Sequence, residues 1–477
     1  MKENRSFLKS LRKRFGGSYE NVCLASEDRL RLSGKGLRVE SEATSFSIEM
    51  GKQILHVCPD RPFDPAARKP PYDFIVYDPS LYYSKVAHSL RLRPGETLAI
   101  DHREESQKQV FSHPRDAFRR HLQIKHDGQA LIFRDPISEL GTYLSMIPEE
   151  QDSLRREIRR ERNLKRIGEI YGGPLEQLSP EAALDSLKKV NQRLKTDPYR
   201  KQDSLGNAGS VVELPSHLDP ILVGDLHAQV DNLLKILSEN SFLECLERDE
   251  AALILLGDAV HPEADEKLAD MDSSVLIMDL IIKLKQAFPG QVFFVMGNHD
   301  SFSPDVMKGG VPQSVLWEKK IRQLRGEEYC HELALFYRQS PLLVISDDFV
   351  CCHAGPPSTS VSLETLVEAR QFPELVHQLT WNRIKTKGWP LGYQKGDVKR
   401  FRKSLGLDET IPFIVAHYPQ SRDGTMWLNV HQIPNHHILY SARDDQVGVI
   451  TRVEGELVPQ IYPAEALLES VNRLAVA

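Results

Sequence analysis

Five apolar segments of this chain each end in a glycine, a carboxylate, an amide or an imidazole. With the polar residues that follow them, the segments read PILVGDLH (220–227), ALILLGD (252–258), VFFVMGNHD (292–300), DFVCCHAG (348–355) and PFIVAH (412–417). Short runs of apolar and β-branched residues are typical of buried strands. In α/β folds, ligands collect beyond the carboxyl ends of such strands. We therefore predict an α/β sheet with these five strand ends on one rim of a single sheet.

The residues at these strand ends are suited to binding metal. They comprise two aspartates, one asparagine and three histidines: Asp225, Asp258, Asn298, His227, His353 and His417. This donor set suits two divalent or trivalent ions such as Mn, Fe or Zn. A carboxylate such as Asp258 can bridge two ions about 3.5–4 Å apart, the arrangement used for displacement at phosphorus. A single Asp or His at a strand end is usually a solvated loop residue, whereas five such ends in one chain predict a site.

Length and charge limit the architecture and the partners. A chain of 477 residues is too long for one ordinary core, so two or three domains are expected. The charged fraction of 27% is normal for a globular protein, and the formal net charge is only −6. We therefore expect no nucleic-acid partner.

Cysteine usage and the lack of long apolar runs favour a cytoplasmic location. The six cysteines are scattered without zinc-ribbon spacing, which fits a reducing compartment. No stretch approaches 18 apolar residues, so no integral membrane segment is expected. The basic residues 1–20 lack the apolar core of a signal peptide and are interpreted as a polar tail, with a membrane-surface helix as the alternative. An effector exported without a cleavable signal would have the same features.

Three regions follow one another along the chain. Residues 1–147 contain short alternating segments around turns and predict an all-β sandwich. Residues 148–210 predict a helical connector, with Ser179 as an N-cap before Pro180, and then a linker over 200–210. Residues 211–477 alternate strand, polar loop and helix, which predicts an α/β sandwich flanked by helices as the catalytic domain.

The ordered motifs GDxH, GD, GNHD, CCHAG and AH resemble those of the calcineurin-like metallophosphoesterases. Within that group the chain is most similar to the phosphoprotein phosphatase family, through FVCCHAGPP, FIVAHYP and HHILYSARDDQVGVITRV (436–453). The resemblance covers residues 215–465. It implies that Asp225, His227 and Asp258 hold one metal and that Asp258, Asn298, His353 and His417 hold the second. It also implies that His299 is the general acid and that a water or hydroxide between the metals attacks phosphorus in line.

The chain departs from this family at the phosphate-binding positions. The family's GDxVDRG is replaced by GDAVHPE, so His261 stands in place of the aspartate that orients the general acid, and Pro262 replaces an arginine. Met296 replaces another arginine, and Ala228 replaces a glycine. The basic residues that could substitute are His261, Arg383, Lys399, Arg400 and Arg422, and the sequence does not choose among them. We take His261 as a second catalytic residue, and Asn298 and Arg422 as substrate-binding residues.

Residues 92–147 resemble a forkhead-associated domain, a β-sandwich that binds phosphothreonine peptides. The resemblance lies in LRPGETLAIDHRE, DAFRRHLQIKHDG and LIFRDPISELGTYLS, where the matching residues are Arg120, His121, Asp135, Ser138, Gly141 and Thr142. The departures fall on the binding residues. Asp101 and His102 replace the family's Gly-Arg, with Arg103 one place late, Phe118 replaces the phosphate-binding serine, and Leu140 replaces the asparagine that holds the peptide backbone. The resemblance implies a phosphopeptide partner for this domain, whereas the departures favour a sandwich used for packing or for a non-phosphorylated protein partner.

Together these features predict a metal-dependent phosphomonoester hydrolase acting on phosphoproteins. Two alternatives stay open: a hydrolase of dinucleoside polyphosphates that uses the same ligands, and a pseudophosphatase scaffold that holds metal without turnover.

Overall fold

The computed structural model describes residues 19–40, 44–63, 71–100, 122–135, 141–147 and 149–476. The chain divides into two compact units, residues 1–160 and residues 161–477. The basic tail lies almost entirely outside the described residues. So do several positions of the forkhead-associated resemblance: Asp101, His102, Arg103, Phe118, Arg120, His121, Ser138 and Leu140.

Unit 1 is a two-sheet β-sandwich. Its described strands are β1 (Tyr19–Val22), β2 (Arg29–Arg31), β3 (Gly36–Glu40), β4 (Ser45–Met50), β5 (Gln53–Pro59), β6 (Phe74–Tyr77), β7 (Ser89–Leu92), β8 (Thr97–Ile100), β9 (Leu122–His126), β10 (Ala130–Arg134) and β11 (Thr142–Ile147), with a one-turn helix α1 (Pro79–Tyr82). One sheet has the order β1-β3-β10-β9-β8 and the other β2-β11-β4-β5-β6-β7. The rings of Phe46 on β4 and Phe133 on β10 lie 5.2 Å apart between the sheets. This confirms the predicted all-β sandwich.

The forkhead-associated resemblance itself stays a prediction. Of its matching positions, Asp135, Gly141 and Thr142 lie in the described part of the chain. The Thr142 hydroxyl donates to the Asp135 carboxylate in the interior of the sandwich, and Gly141 has φ 78°. The contact between Thr142 and Asp135 is internal to the sandwich, which is a structural role that needs no bound peptide.

Unit 2 contains the α/β part of the chain. Its strands are β12 (Arg200–Gln202), β13 (Ala208–Glu213), β14 (Asp219–Val223), β15 (Ala251–Leu255), β16 (Val292–Phe294), β17 (Leu343–Ile345), β18 (Val350–Cys352), β19 (Phe413–Val415), β20 (Met426–Trp427), β21 (His436–Leu439), β22 (Gln446–Val453) and β23 (Glu456–Pro463). The α-helices are α2 (Glu149–Tyr171), which begins before residue 161, α3 (Pro180–Leu194), α4 (Val230–Ser238), α5 (Phe242–Glu247), α6 (Asp272–Ala287), α7 (Gln313–Gln339, interrupted at Gly326), α8 (Leu363–Val367), α9 (Pro373–Trp381), α10 (Lys395–Ser404) and α11 (Leu468–Val476). Short 3-10 helices cover Asp265–Lys267, Ala369–Gln371 and Val430–Gln432.

Two sheets face each other in unit 2. A seven-stranded sheet has the order β12-β13-β17-β18-β19-β21-β20, and a five-stranded sheet has the order β16-β15-β14-β22-β23. The core between them takes apolar side chains from both: Val212, Leu222, Ile254, Phe293, Val344, Cys351, Ile414 and Ile450. Helices α8, α9 and α10 cover the outer face of the larger sheet, and α4, α5 and α6 lie against the smaller one. The predicted α/β sandwich flanked by helices is confirmed.

The predicted connector is part of unit 2 from residue 161 onward. Ser179 caps α3 as predicted, with its hydroxyl accepting from Ala182 N–H at 3.3 Å, and α3 packs against α6 and α7. Residues 200–210, which the sequence predicts as a linker, instead form β12, a turn and the start of β13. β12 is the edge strand of its sheet and residues 204–207 of the turn are exposed, so this segment has the polar composition of a linker. The domain boundaries at residues 147 and 210 stay predictions.

The five strand ends do not lie on one sheet. Strands β14, β15 and β16 belong to the five-stranded sheet, whereas β18 and β19 belong to the seven-stranded sheet. The expectation of a single sheet rim was therefore wrong, although the ends of all five strands meet at the same edge of the sandwich. Local periodicity identifies a strand but not its partner, because strand pairing is decided by contacts far apart in sequence.

No helix among the described residues is long and apolar enough to cross a membrane.

Candidate active site

Three of the candidate ligands lie in strained turns just after their strands end. His227, Asp258 and His417 have φ of 42°, 48° and 66°, a left-handed conformation that costs of order 1–3 kcal/mol at a non-glycine residue. The loops that carry Asp258 and Gly297 also approach each other closely. A Cβ on Gly297 would lie 2.2 Å from Asp258 Oδ1, so this position requires glycine. Such strain persists only where the surroundings hold it, and it collects at functional sites.

The first donor set consists of Asp225, His227 and Asp258, all buried. His227 Nδ1 lies 3.1 Å from the His261 carbonyl oxygen, so it carries the proton and donates it there. Nε2 of His227 is then the nitrogen that could bind an ion, and it faces Asp225 Oδ2 at 3.7 Å. Asp225 Oδ1 accepts from His417 N–H at 3.0 Å. Among the described residues, no hydrogen-bond donor reaches the buried Asp225 Oδ2.

The second donor set surrounds Nε2 of His353. This nitrogen lies 3.0 Å from Asn298 Oδ1, 3.3 Å from His417 Nδ1 and 3.3 Å from Asp258 Oδ2. Nδ1 of His353 donates to the Leu256 carbonyl at 2.6 Å, which fixes the ring and turns Nε2 towards the other donors of the set. Because Asp258 contributes to both sets, it occupies the position of a bridging carboxylate.

Asp258 is itself held by the GNHD loop. Its Oδ1 accepts from His299 N–H at 2.7 Å, and its own N–H donates to Asp300 Oδ2 at 2.9 Å. Asp300 also accepts from Gly297 N–H at 2.8 Å. Burial, and then the negative charge of Asp258, raise the pKa of Asp300 to about 7. Sequence reasoning gave Asp300 no role, although it is the fourth residue of a motif that was recognised.

The two donor sets fit two cations. Carboxylate, amide and imidazole donors are suited to divalent ions, and a buried carboxylate oxygen without a partner is costly unless something compensates it. The charges around His227 also favour a cation at the first donor set. Burial disfavours its cationic form, but Glu263 and Asp225 raise the pKa of His227 to about 10, so the protein itself favours a positive charge at this point.

His299 and His261 form a direct pair. Their Nδ1 atoms lie 2.8 Å apart, so one ring donates and the other accepts. His261 is buried, and its backbone N–H donates to Ser274 Oγ at 2.9 Å. Burial lowers the pKa of His299 to about 4 and that of His261 well below its usual range. His261 thus contacts His299 as the sequence predicts, and its role in orienting the general acid stays a prediction.

Arg383 lies beside the second donor set. Its Nε donates to His417 Nε2 at 3.2 Å, and its guanidinium carbon lies 4.8 Å from the Trp389 ring centroid and 4.7 Å from that of Tyr418. Both rings are 44% exposed. Burial lowers the pKa of Arg383, and among the described residues its two terminal nitrogens have no hydrogen-bond partner.

Comparison with known proteins gives a family match for the segment that carries these residues. Residues 221–429 match the family model of the calcineurin-like phosphoesterases. The chain therefore contains a calcineurin-like phosphoesterase domain. All six candidate ligands and both histidines of the pair fall inside the matched segment. Phosphoesterases of this family use divalent metals, in agreement with the two Asp/His clusters.

Two further comparisons complete this result. No curated protein matches the sequence. One solved structure that the chain matches is a protein serine/threonine phosphatase from Saccharomyces cerevisiae with similarity to human phosphatase PP5. It shares 16% sequence identity, with a TM-score of 0.45, over 61% of this chain and 90% of that chain.

Other basic residues named from the sequence lie elsewhere in the phosphoesterase domain. Lys399 pairs with Glu409 at 2.5 Å, and Arg400 pairs with Asp397. Arg422 is exposed, and no hydrogen bond or ion pair among the described residues joins it to the donor sets. Of the candidates for the missing arginines, Arg383 is the one that contacts a proposed ligand, and the role predicted for Arg422 stays a prediction.

A group that sequence reasoning missed lies at the first donor set of the phosphoesterase domain. Glu263 Oε1 lies 3.3 Å from His227 Nε2. The Lys308 ammonium and the Tyr440 hydroxyl both donate to the Glu263 carboxylate. Burial alone would raise the pKa of Glu263, but His227 and Lys308 lower it to about 2. Glu263 is part of GDAVHPE, yet nothing in that motif indicates that its side chain turns towards His227.

Proposed function

We propose that the phosphoesterase domain is a metal-dependent phosphomonoester hydrolase whose substrates are phosphorylated proteins. The observation that supports it best is a pair of buried donor sets that share Asp258. Isolated acidic or histidine side chains are common without a ligand. Two sets joined through one carboxylate are the arrangement used for displacement at phosphorus.

Each side chain has a role in this proposal. Asp225, His227 and Asp258 hold the first ion, and Asp258, Asn298, His353 and His417 hold the second. When bound, the two ions supply an activated water and offset negative charge on the phosphoryl oxygens. His299 donates a proton to the leaving oxygen, and His261 fixes its ring through the contact between their Nδ1 atoms.

Arg383 is the proposed phosphate-binding residue. A metal on His417 Nδ1 requires the proton of that ring on Nε2, which then no longer accepts from Arg383 Nε. The guanidinium is held between Trp389 and Tyr418, so it stays at the site while all of its donors become available to an anion. A planar guanidinium binds phosphate with two parallel hydrogen bonds, which a lysine cannot reproduce.

Replacing Arg383 tests this role. We expect Arg383→Ala to lower kcat/KM on a phosphopeptide by about 10²–10³-fold, and Arg383→Lys to recover only part of that loss. The exposed Arg422 provides the matched control, and Arg422→Ala is expected to retain wild-type kinetics. Metal content measured alongside should be unchanged in all three variants. A loss confined to Arg422→Ala would contradict this assignment and support the one predicted from sequence.

Phosphoprotein is the first-choice substrate because the chain joins this domain to a sandwich that resembles a phosphopeptide reader, which is an argument by analogy. The test compares phosphoserine, phosphothreonine and phosphotyrosine peptides with diadenosine tetraphosphate, all with Mn²⁺ present. Turnover of a phosphopeptide supports the proposal. Turnover of the dinucleotide alone supports the nucleotide hydrolase, and bound metal without any turnover supports a pseudophosphatase scaffold.

A further inference from the structure

Glu263 adds a third carboxylate to the first donor set. We infer that Glu263 is a direct ligand of the first metal, together with Asp225, His227 and Asp258, and that it makes this site selective for a hard divalent cation such as Mn²⁺ or Mg²⁺. This inference rests on the proposed function, since it concerns the same metal centre, but it adds a ligand that the sequence resemblance does not supply.

The geometry around His227 carries the inference. Nδ1 of His227 donates to the His261 carbonyl, so Nε2 is the nitrogen that faces the carboxylates and that would bind an ion placed among them. Glu263 Oε1 lies 3.3 Å from that nitrogen, closer than Asp225 Oδ2 at 3.7 Å. Two ligand atoms that bind one ion at right angles lie about 3 Å apart when each is about 2.1 Å from the metal. Glu263 therefore has the separation expected of a neighbouring ligand on the same ion.

The position of Glu263 is fixed by the fold. Its second oxygen, Oε2, accepts from the Tyr440 hydroxyl, and the backbone of Tyr440 forms a parallel bridge with Asp225. On the other side, Gln313 Nε2 donates to the carbonyl of Pro262 at 2.9 Å. A carboxylate that merely paired with a surface lysine would not need a tyrosine and a glutamine to hold it against a histidine.

The charges also require a cation at this point. Asp225, Asp258 and Glu263 bring three carboxylates to one histidine, and Lys308 is the permanently charged side chain among the described residues that pairs with one of them, Glu263. The side chains of Lys308 and Glu263 are 35% and 30% exposed, so their ion pair faces solvent and can be rearranged at low cost. A divalent ion among the three carboxylates balances charge that Lys308 alone leaves uncompensated.

The added carboxylate makes the two metal sites chemically different. The first set holds three carboxylates and one imidazole, while the second holds one shared carboxylate, an amide oxygen and two imidazoles. Oxygen-rich sets suit Mg²⁺ and Mn²⁺, and imidazole suits Zn²⁺ and Fe. We therefore expect the two sites to differ in metal preference.

Titration of the metal-free full chain with Mn²⁺ by calorimetry, with metal content from elemental analysis, tests the inference. Wild type should bind two ions. Glu263→Gln should weaken one of the two sites by at least about 10-fold, whereas Glu266→Gln, an exposed neutralisation three residues away, should retain both affinities. Glu263→Gln with two unchanged affinities would overturn the inference.

Two more variants distinguish a Glu263 that binds the metal from a Glu263 that only supplies negative charge nearby. Glu263→His should shift the first site from Mn²⁺ towards Zn²⁺ in competition, because only a ligand substitution changes donor chemistry. Lys308→Met should bind Mn²⁺ at least as tightly as wild type if Glu263 is a ligand, and weaker Mn²⁺ binding in Lys308→Met would contradict that role. If wild type and Glu266→Gln both fail to bind metal, the proposed function itself fails.

Discussion

Asp258→Asn abolishes metal-dependent hydrolysis. Asp258 is the residue common to both donor sets, and an amide has one oxygen donor and no charge with which to bridge two cations. The substitution preserves shape, and its remaining oxygen can still accept from His299 N–H, as Asp258 Oδ1 does at 2.7 Å. We therefore expect a folded protein whose kcat/KM is lower by at least about 10²–10³-fold.

The measurement for Asp258→Asn combines turnover of a phosphopeptide with metal stoichiometry and thermal denaturation. Asp347→Asn, at an exposed position, is the matched control and should behave as wild type. A folded Asp258→Asn protein that holds fewer than two ions and lacks turnover is the expected result. Near-normal turnover in that variant would contradict a bridging role for Asp258.

His299→Asn separates proton transfer from metal binding. The His299 side chain contacts His261 through Nδ1, and His299 is not one of the proposed metal ligands. Its loss should therefore leave both ions bound. We expect the rate on phosphoserine peptides, whose alkoxide leaving group needs a proton, to fall by about 10²–10⁴-fold. The rate on p-nitrophenyl phosphate should fall much less, because nitrophenolate leaves without protonation.

The contrast between the two substrates is the decisive readout for His299. Metal content should equal that of wild type, and His261→Ala should give a smaller loss with the same dependence on leaving group, because it removes only the contact that orients the ring. If metal content collapses in His299→Asn, then His299 is a ligand and has been misassigned. Equal losses on both substrates would also exclude the role of general acid.

The candidate ligands could be predicted from sequence because each is attached to a local pattern. An apolar run followed by glycine and a donor identifies a strand end, and His227, Asp258 and His353 lie where those runs stop. The division of the strands between two sheets could not be predicted, because β14 and β18 resemble each other locally and differ only in distant pairing partners.

The groups that complete the site were harder to predict for a related reason. Arg383 was one of several basic candidates, and only its contacts with His417, Trp389 and Tyr418 distinguish it. Lys308 lies in an irregular loop without periodicity, so no local pattern connects it to Glu263, 45 residues earlier. In unit 1 the strands were predictable from alternation, whereas most residues that would test its peptide-binding role lie outside the described part of the chain.

Anomalous diffraction from crystals of the full chain grown with Mn²⁺ tests the central claim most directly. Two peaks about 3.5–4 Å apart, with Asp258 in contact with both, are the predicted result. A single peak, or two peaks of which one does not touch Asp258, would contradict a centre in which one carboxylate joins two metals.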